Sequence, residues 1–462
     1  MDATVIIFLF ALGACVGSFL NVVIYRLPRQ ESIVFPGSHC PRCGHPIKWY
    51  DNIPLVSWFA LRGRCRQCKA PISPRYLVVE AATALRVAGL FICYYILRVR
   101  VGAGEFSSTW PMFAAHAALL CGLLVCSAVD IEHWIVPLEV CWLVTAVGLV
   151  SAAAAPHAWV PCVSPAVGAM SLAAAIGLLL ALIGQHYGLI QQSFLDAEDR
   201  PDGQPPPQKQ AAQPSRKKRK KGRKKPGKGA KAPAAAQRPE PKARGVAPAD
   251  VVLFPLRVLF VATTALLFGS VLTTQQDSSG VGITKAHGVN PRREVLREVV
   301  FLGPAILLGV AAYLLVAKVP AIGEWWGRLA GDQAAGGAAR HVSALLSALF
   351  GYLIGGLWIW GLRILGTLAF GREAMGLGDV HLLAAVGAVC GWIVPSLVFF
   401  LAAFLAVAWA VAMALRKQRE MPYGPWLGAA ALLVMLFYDR LMGLLEPYLW
   451  LFTGRGQAVR PF

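Results

Sequence analysis

Val5-Ile-Ile-Phe-Leu-Phe-Ala-Leu-Gly-Ala-Cys-Val-Gly17-Ser-Phe-Leu-Asn21-Val-Val-Ile-Tyr25 runs without a charged side chain until Arg26. Its length matches the roughly 20 residues that an α-helix needs to cross a bilayer. Comparable apolar runs follow at Tyr76 to Leu97, Met112 to Val129, Leu138 to Ala155, Ala166 to Ile183, Val251 to Thr274, Val299 to Ala317, Val342 to Leu365, Leu382 to Leu401, Ala402 to Leu415 and Pro425 to Leu445. Of the 462 residues, 56% are hydrophobic and 15% charged, where a soluble domain carries about a quarter charged. Mean hydropathy is +0.56. The recurrence of such runs excludes a receptor with one anchor, and the chain reads as an all-α polytopic membrane protein. The first run has no positive region before it and no small-residue cleavage site, so it is expected to remain as a span.

A net charge of +20 suggests nucleic acid, but Arg216 to Lys231 alone holds eleven cations and no acid, leaving +9 elsewhere. That run lies in Gln191 to Ala249, rich in Pro, Gln, Lys, Arg and Ala and poor in large apolar residues. Such a segment cannot bury enough surface to offset the entropy of ordering, so it reads as a disordered cytoplasmic linker. Its basic core is read first as a solvated tether that pins topology, then as a patch for anionic lipid headgroups, and last as a nucleic-acid contact. Between the first two spans lie Arg26, Arg29, Arg42, Lys48, Arg62, Arg64, Arg66, Lys69 and Arg75. By the positive-inside rule this segment is cytoplasmic and the amino terminus outside. No regular internal repeat is visible.

The same segment holds Cys40-Pro-Arg-Cys43 and Cys65-Arg-Gln-Cys68, two C-x-x-C knuckles separated by 21 residues. Four thiolates so placed satisfy tetrahedral Zn²⁺ and leave no open coordination position, which makes the expected site structural. Disulfides are disfavoured in a reducing cytoplasm; reduced cysteines without metal and a redox pair stand as alternatives. The other seven cysteines, Cys15, Cys93, Cys121, Cys126, Cys141, Cys162 and Cys390, lie in apolar stretches and read as small hydrophobes.

Carboxylates at membrane depth are costly and therefore informative. Asp130 follows an apolar run in Ser127-Ala-Val-Asp130-Ile-Glu132-His-Trp-Ile-Val-Pro137, and Asp379 lies between two runs in Met375-Gly376-Leu-Gly378-Asp379-Val-His381. Either can be an interfacial helix cap. Gly376 and Gly378 permit a close or positive-φ approach that leaves the Asp379 carboxylate accessible to a peptide. Brought together, the two acids can do general acid and base chemistry: an ionised carboxylate activates water while its protonated partner polarises a carbonyl. Such a pair titrates as a unit.

With these blocks in view, the chain resembles the type IV prepilin leader peptidases, aspartic membrane proteases of the G-x-G-D class. Gly17-Ser-Phe-Leu-Asn21 through Tyr25-Arg26-Leu-Pro28 is similar to the family's first span. Cys40 to Cys68, with Asp51-Asn52-Ile-Pro54 and Leu61-Arg62-Gly63-Arg64 between the knuckles and Arg75-Tyr76 and Glu80 after them, resembles its zinc loop. Ala128-Val-Asp130 with Pro137 resembles the first catalytic block, Gly376-Leu-Gly378-Asp379 with Gly391-Trp392 the second, and Pro422-Tyr-Gly424-Pro425 the turn before the last span.

The resemblance implies that Asp130 and Asp379 are a catalytic dyad. The substrates it implies are prepilin or pseudopilin leaders, cut after glycine at the cytoplasmic face of the bacterial inner membrane. Many members also methylate the new amino terminus with S-adenosylmethionine, although no nucleotide-binding fingerprint is visible here. His381 stands where the family usually has lysine, Leu138 where aspartate commonly follows the proline, and extra sequence fills Ile183 to Val342. His381 is either a neutral interfacial residue or a group that modulates Asp379. Glu80 and Glu132 are candidate helpers, with interhelical hydrogen bonding the plainer role for Glu80 and for Asn21. Readings from other classes are a non-catalytic zinc-ribbon membrane scaffold and a proton-coupled transporter.

The expected organisation is a first span (1–26), a cytoplasmic zinc-binding loop (27–75), helices carrying Asp130 (76–185), the basic linker (186–250), inserted membrane-associated segments (251–341), helices carrying Asp379 (342–452) and a tail (453–462). Both aspartates face the cytoplasm only if an even number of spans separates them, and five candidates do. Val251 to Thr274, with Pro255 and Arg257 near its start and Lys285, Arg292, Arg293 and Arg297 after it, is therefore expected to be re-entrant or interfacial.

Overall fold

The computed structural model describes residues 2–194, 291–330, 337–371, 373–414 and 422–453. Twelve α-helices organise them, and no strand occurs among the described residues. In order these are α1 (Asp2–Arg26), the short α2 (Val56–Ala60), α3 (Pro74–Phe91), α4 (Phe106–His133), α5 (Leu138–Ala154) and α6 (Pro165–His186). Then come α7 (Pro291–Lys318), α8 (Pro320–Ala330), α9 (Ala338–Phe370), α10 (Leu377–Cys390), α11 (Ile393–Ala414) and α12 (Gly424–Thr453). A π-turn, Ile92–Ile96, prolongs α3. Apart from Phe194, these residues belong to one compact unit. The protein is a multi-pass membrane protein: eight helices, α1, α3, α4, α6, α7, α9, α11 and α12, are long and apolar enough to cross a bilayer.

Local chemistry sets where the helices begin and end. Ser73 and Ser164 cap α3 and α6 by accepting amides of Arg75 and Val167, each followed by proline at the first helical position. α4 stops where Trp134 takes a left-handed conformation and donates its amide to the Asp130 carbonyl, and Pro137 then precedes α5. In lipid no hydrophobic drive separates helix–helix from helix–lipid contact, so close approach at small residues carries the packing. On α1, a Cβ at Gly13 would stand 2.8 Å from the Ala84 Cα, and one at Gly17 2.7 Å from the Glu80 Cα of α3. α10 is apolar all round and correspondingly enclosed, with Val380 and Leu382–Cys390 buried against its neighbours.

Hydrogen bonds and contacts sort the helix ends. The end of α4 and the beginnings of α5, α10 and α12 meet through Gly378 on Val136 and Gly424 on Asp130. At the opposite end of the bundle His341 Nδ1 lies 2.6 Å from the Ala153 carbonyl oxygen, and the Val163 amide donates to Ser347. α6 and α7 run antiparallel, Gly177 on Ala305 and Gly309 on Met170, and the start of α7 meets the end of α9 through Glu298 and Arg363. Among the described helices, α5, α6, α7 and α9 thus make four transits between Asp130 and Asp379, an even number. Val251 to Thr274 and the basic run Arg216 to Lys231 lie outside the described residues.

Several boundaries differ from those expected. Leu382 to Leu415 divides at Gly391, not at Leu401, because Gly391 adopts φ +78° with a Pro161 ring carbon 2.5 Å from where its Cβ would be. Continuous hydropathy across the break concealed it. α7 begins at Pro291 and so includes Arg292, Arg293 and Arg297. α8 was not anticipated; it carries the exposed Trp325, while Trp326 Nε1 donates to the Pro165 carbonyl.

Gly17→Ala is expected to destabilise the α1–α3 pair by roughly 1–3 kcal/mol, since the obstructing atom is backbone. Gly89→Ala on α3, with nothing within 4 Å of its would-be Cβ, is expected to be neutral or mildly stabilising. Thermal unfolding of the detergent-solubilised full chain checks the contrast.

Candidate active site and metal centre

The two C-x-x-C knuckles fold alike. Cys40 N–H donates to the His45 carbonyl and Gly44 N–H to that of Cys40; 25 residues later Cys65 N–H donates to Ala70 and Lys69 N–H to Cys65. Isolated bridges His39–Pro46 and Arg64–Pro71 close each turn. The shared pattern C-x-x-C-x-x-P-I, at Cys40–Ile47 and Cys65–Ile72, is a short repeat that sequence inspection passed over. Its two tight turns need positive φ: Gly44 has +68° without cost, Lys69 +57° against the preference of an L-residue.

All four Sγ atoms lie within 4.8 Å of one another, and Cys40 Sγ is 3.8 Å from Cys68 Sγ. A tetrahedron with about 2.3 Å zinc–sulfur bonds has edges of about 3.8 Å, so the quartet fits Zn²⁺. The backbone amides of Cys43 and Arg42 lower the Cys40 thiol to about 6. At Cys68 the Ala70 amide pulls the same way, but burial and the hydrogen bonds of Cys43, Cys65 and Cys40 outweigh it and raise the thiol to about 11. One thiolate is therefore stabilised by the fold, while full ionisation of the quartet calls for a cation at its centre.

The loop and the helices that flank it are braced at several points. Glu80 of α3 accepts the Leu55 amide at 2.8 Å, Asn21 Nδ2 of α1 donates to the Tyr76 carbonyl at 3.0 Å, and Arg26 donates to the Ser32 and Pro36 carbonyls. Within the loop Arg66 holds Asp51 by two hydrogen bonds of 2.8 and 2.6 Å, which lowers the Asp51 carboxyl below its ordinary value. Arg75, at the start of α3, pairs with Glu132 near the end of α4. Glu80 and Glu132 are thus tied into the scaffold, and the cysteine loop stands at the same end of the bundle as Asp130.

Asp130 and Asp379, 249 positions apart in sequence, stand on helix ends that meet, with Gly378 against Val136 and Gly424 against Asp130. Asp130, 6% exposed, accepts the Gly424 N–H at 2.9 Å. Gly424 is the first residue of α12, and Asp379 stands in the first turn of α10. Asp130 thus faces the amino terminus of α12 and Asp379 belongs to the first turn of α10, positions where free N–H groups and the helix dipole favour negative charge. Tyr423 beside them is raised to about 12, by burial first and the Asp379 charge second.

The two glycines of the G-x-G-D turn do different things. At Gly378 a Cβ would meet Val136 Cβ at 2.6 Å, so its bare backbone lets α10 approach the α4–α5 turn. Gly376 caps α10 with φ −72°, and the nearest atom to its would-be Cβ is 4.0 Å away. Neither has positive φ, contrary to one of the two expected uses. His381 is not directed at Asp379: two helical positions turn the chain by about 200°, and its ring packs edge-on to Trp142 at 6.3 Å with Nδ1 unbonded. Sequence reasoning missed the Gly424 amide as a partner of Asp130, although Gly-Pro at a helix start was its available signal.

Comparison with known proteins finds similarity over part of the chain. The family model described as the Bacterial Peptidase A24 N-terminal domain matches residues 11–94, from α1 through the cysteine loop to α3. The Prepilin leader peptidase/N-methyltransferase of Myxococcus xanthus is 53% identical over 134 residues, 29% of this chain and 36% of that one. Proteins of the same name from Pseudomonas aeruginosa (39% over 159 residues, 29% of this chain) and Klebsiella pneumoniae (39% over 136 residues, 28% of this chain) match over 50% and 54% of their lengths. Part of the chain is thus similar to part of the prepilin leader peptidases. It spans between about a third and about half of the length of the curated relatives named here. No solved structure matches it.

The family domain encloses all four cysteines, which makes the metal fit testable apart from any activity. Purified protein is expected to carry about one zinc per chain. Cys65→Ser should lower that stoichiometry well below one, read by elemental analysis, because three thiolates do not close the tetrahedron. A wild-type zinc content in that variant would remove Cys65 from the ligand set.

Proposed function

We propose that this chain is an aspartic endopeptidase that removes the leaders of type IV prepilins or type II secretion pseudopilins, cutting after a glycine. One observation carries the reading: Asp130 accepts the first amide of α12 while Asp379 stands in the first turn of α10, whose Gly378 packs on Val136 just after α4, at the bundle end that also bears the cysteine loop. The names of the relatives support the substrate class. The cations of the loop support placing this end in the cytoplasm, and hence the chain in the bacterial inner membrane.

In this mechanism the dyad holds one proton between its members. The ionised carboxylate takes a proton from water as the oxygen attacks the scissile carbonyl, and the protonated partner gives its proton to the carbonyl oxygen. Collapse of the tetrahedral intermediate breaks the C–N bond: the departing amine receives a proton from the acid that water recharged, and the other, now ionised, carboxylate takes a proton from one hydroxyl of the diol as the new carbonyl forms. Zn²⁺ in the quartet is structural, held by Cys40, Cys43, Cys65 and Cys68, and orders the loop rather than the reaction. The relatives' names also include N-methyltransferase; among the described residues no cluster singles out a place for S-adenosylmethionine, and no methylation step is assigned.

Asp130→Asn and Asp379→Asn keep size and remove the ionisable carboxyl. Either is expected to lower cleavage of a co-expressed prepilin reporter by at least about 100-fold, with normal membrane accumulation and zinc content. Wild-type turnover in either variant would remove that aspartate from the catalytic assignment, and absence of cleavage by the wild type would leave the non-catalytic zinc-ribbon scaffold.

A further inference from the structure

Arg363 is the largest fully buried side chain among the described residues, 1% exposed near the end of α9. A cation at that depth persists only when paired and fully hydrogen-bonded. Its Nε donates to Glu298 Oε1 at 2.7 Å, and its Nη1 donates to Glu373 and to the main-chain carbonyl of Met375. Glu298, 3% exposed on α7, also accepts from Ser193 and, through Oε2, from Trp360. The neighbouring positions of α9 face the same segment. Thr367 Oγ1 accepts the Ala374 amide, and Gly366 leaves the space that Ala374 Cβ occupies, 2.6 Å from where a Cβ of its own would be.

Only Gly376, Leu377 and Gly378 separate Met375 from Asp379, and Gly376 is the cap of α10. Gripping the Met375 carbonyl therefore fixes where α10 begins and how far Asp379 reaches toward Asp130. We infer that Arg363, oriented by Glu298, is a positioning residue for the Asp379 carboxylate, so that α7, part of the extra sequence between Ile183 and Val342, contributes to catalysis without touching substrate. The inference rests on the dyad reading above. Under it the added helix supplies a buried counter-charge, which lets an arginine, with its planar fork, hold an acid side chain and a main-chain oxygen at once.

The test compares Arg363→Lys and Glu298→Gln with the wild-type full chain in proteoliposomes, using a prepilin peptide. Lysine keeps the charge but cannot span Glu298 and the Met375 carbonyl together. The expected result is a kcat lower by about 10- to 100-fold with unchanged KM. The pH–rate profile should also be displaced, since the coupled titration of the dyad depends on its separation. Glu298→Gln, which retains an acceptor for Arg363 Nε, is expected to move both quantities in the same direction by less. Cleavage by Asp130→Asn at the wild-type rate, or none by the wild type, defeats the peptidase reading and this inference with it. With those controls in order, the inference is overturned by a wild-type kcat or by loss only in step with zinc-loaded folded protein at an unmoved pH profile. Failure of both variants to accumulate in the membrane also overturns it, marking a role in the fold alone.

Discussion

The hydrogen bond from Gly424 N–H to the Asp130 carboxylate constrains more of this molecule than any other contact. A carboxylate at the rim of an apolar bundle must recover hydrogen bonds that water would have supplied. Here the donor is the first amide of α12, which has no partner inside its own helix. Satisfying one group satisfies the other, and the junction ties α4 to the last helix. Gly424 has no alternative in this place, since a Cβ would stand 2.7 Å from Asp130 Oδ2. α10 reaches the same point by the same economy of side chain at Gly378.

The cysteine loop adds a second constraint from the water side. Leu55 donates its amide to Glu80 of α3, the Ser32 and Pro36 carbonyls accept from Arg26 of α1, and Arg75 at the head of α3 pairs with Glu132 of α4. The loop is thereby tied to α1 and α3, and through α3 to α4. Because Glu132 lies two residues beyond Asp130, the position of the first aspartate depends on a segment outside the membrane. The segment that leads to the second aspartate is held by α9, through Arg363 on the Met375 carbonyl and Thr367 on the Ala374 amide.

Much of this was legible in the sequence, for reasons that differ by element. Long apolar runs announce spans because lipid tolerates nothing else, and C-x-x-C pairs announce a metal because four thiols rarely gather otherwise. Asp130 and Asp379 stood out through the cost of carboxylates at membrane depth. What stayed hidden lacks a local signature. The break at Gly391 lies in unbroken hydropathy, α8 is short, and the amide of Gly424 is a backbone group that sequence does not display. Arg363 was visible as a cation within the Val342 to Leu365 run, but its partner Glu298 lies 65 residues earlier, and pairing over that distance is a property of packing alone. His381 shows the converse, a polar residue beside a key acid that helical geometry turns away from it.

The two knuckles share a backbone but not a composition, and that asymmetry sets an order of events. Gly44 holds its left-handed turn without penalty, whereas Lys69 holds the equivalent one at a cost of about 1 kcal/mol or more. Without a metal on the quartet, the half of the loop containing Lys69 would have the greater reason to relax. That half leads directly into Ser73, Pro74 and Arg75 at the head of α3. Relaxation there would travel first to Arg75, which reaches Glu132 and hence the last turn of α4. A metal held by the quartet would thus be coupled mechanically, over a few residues of chain, to the helix end on which Asp130 stands.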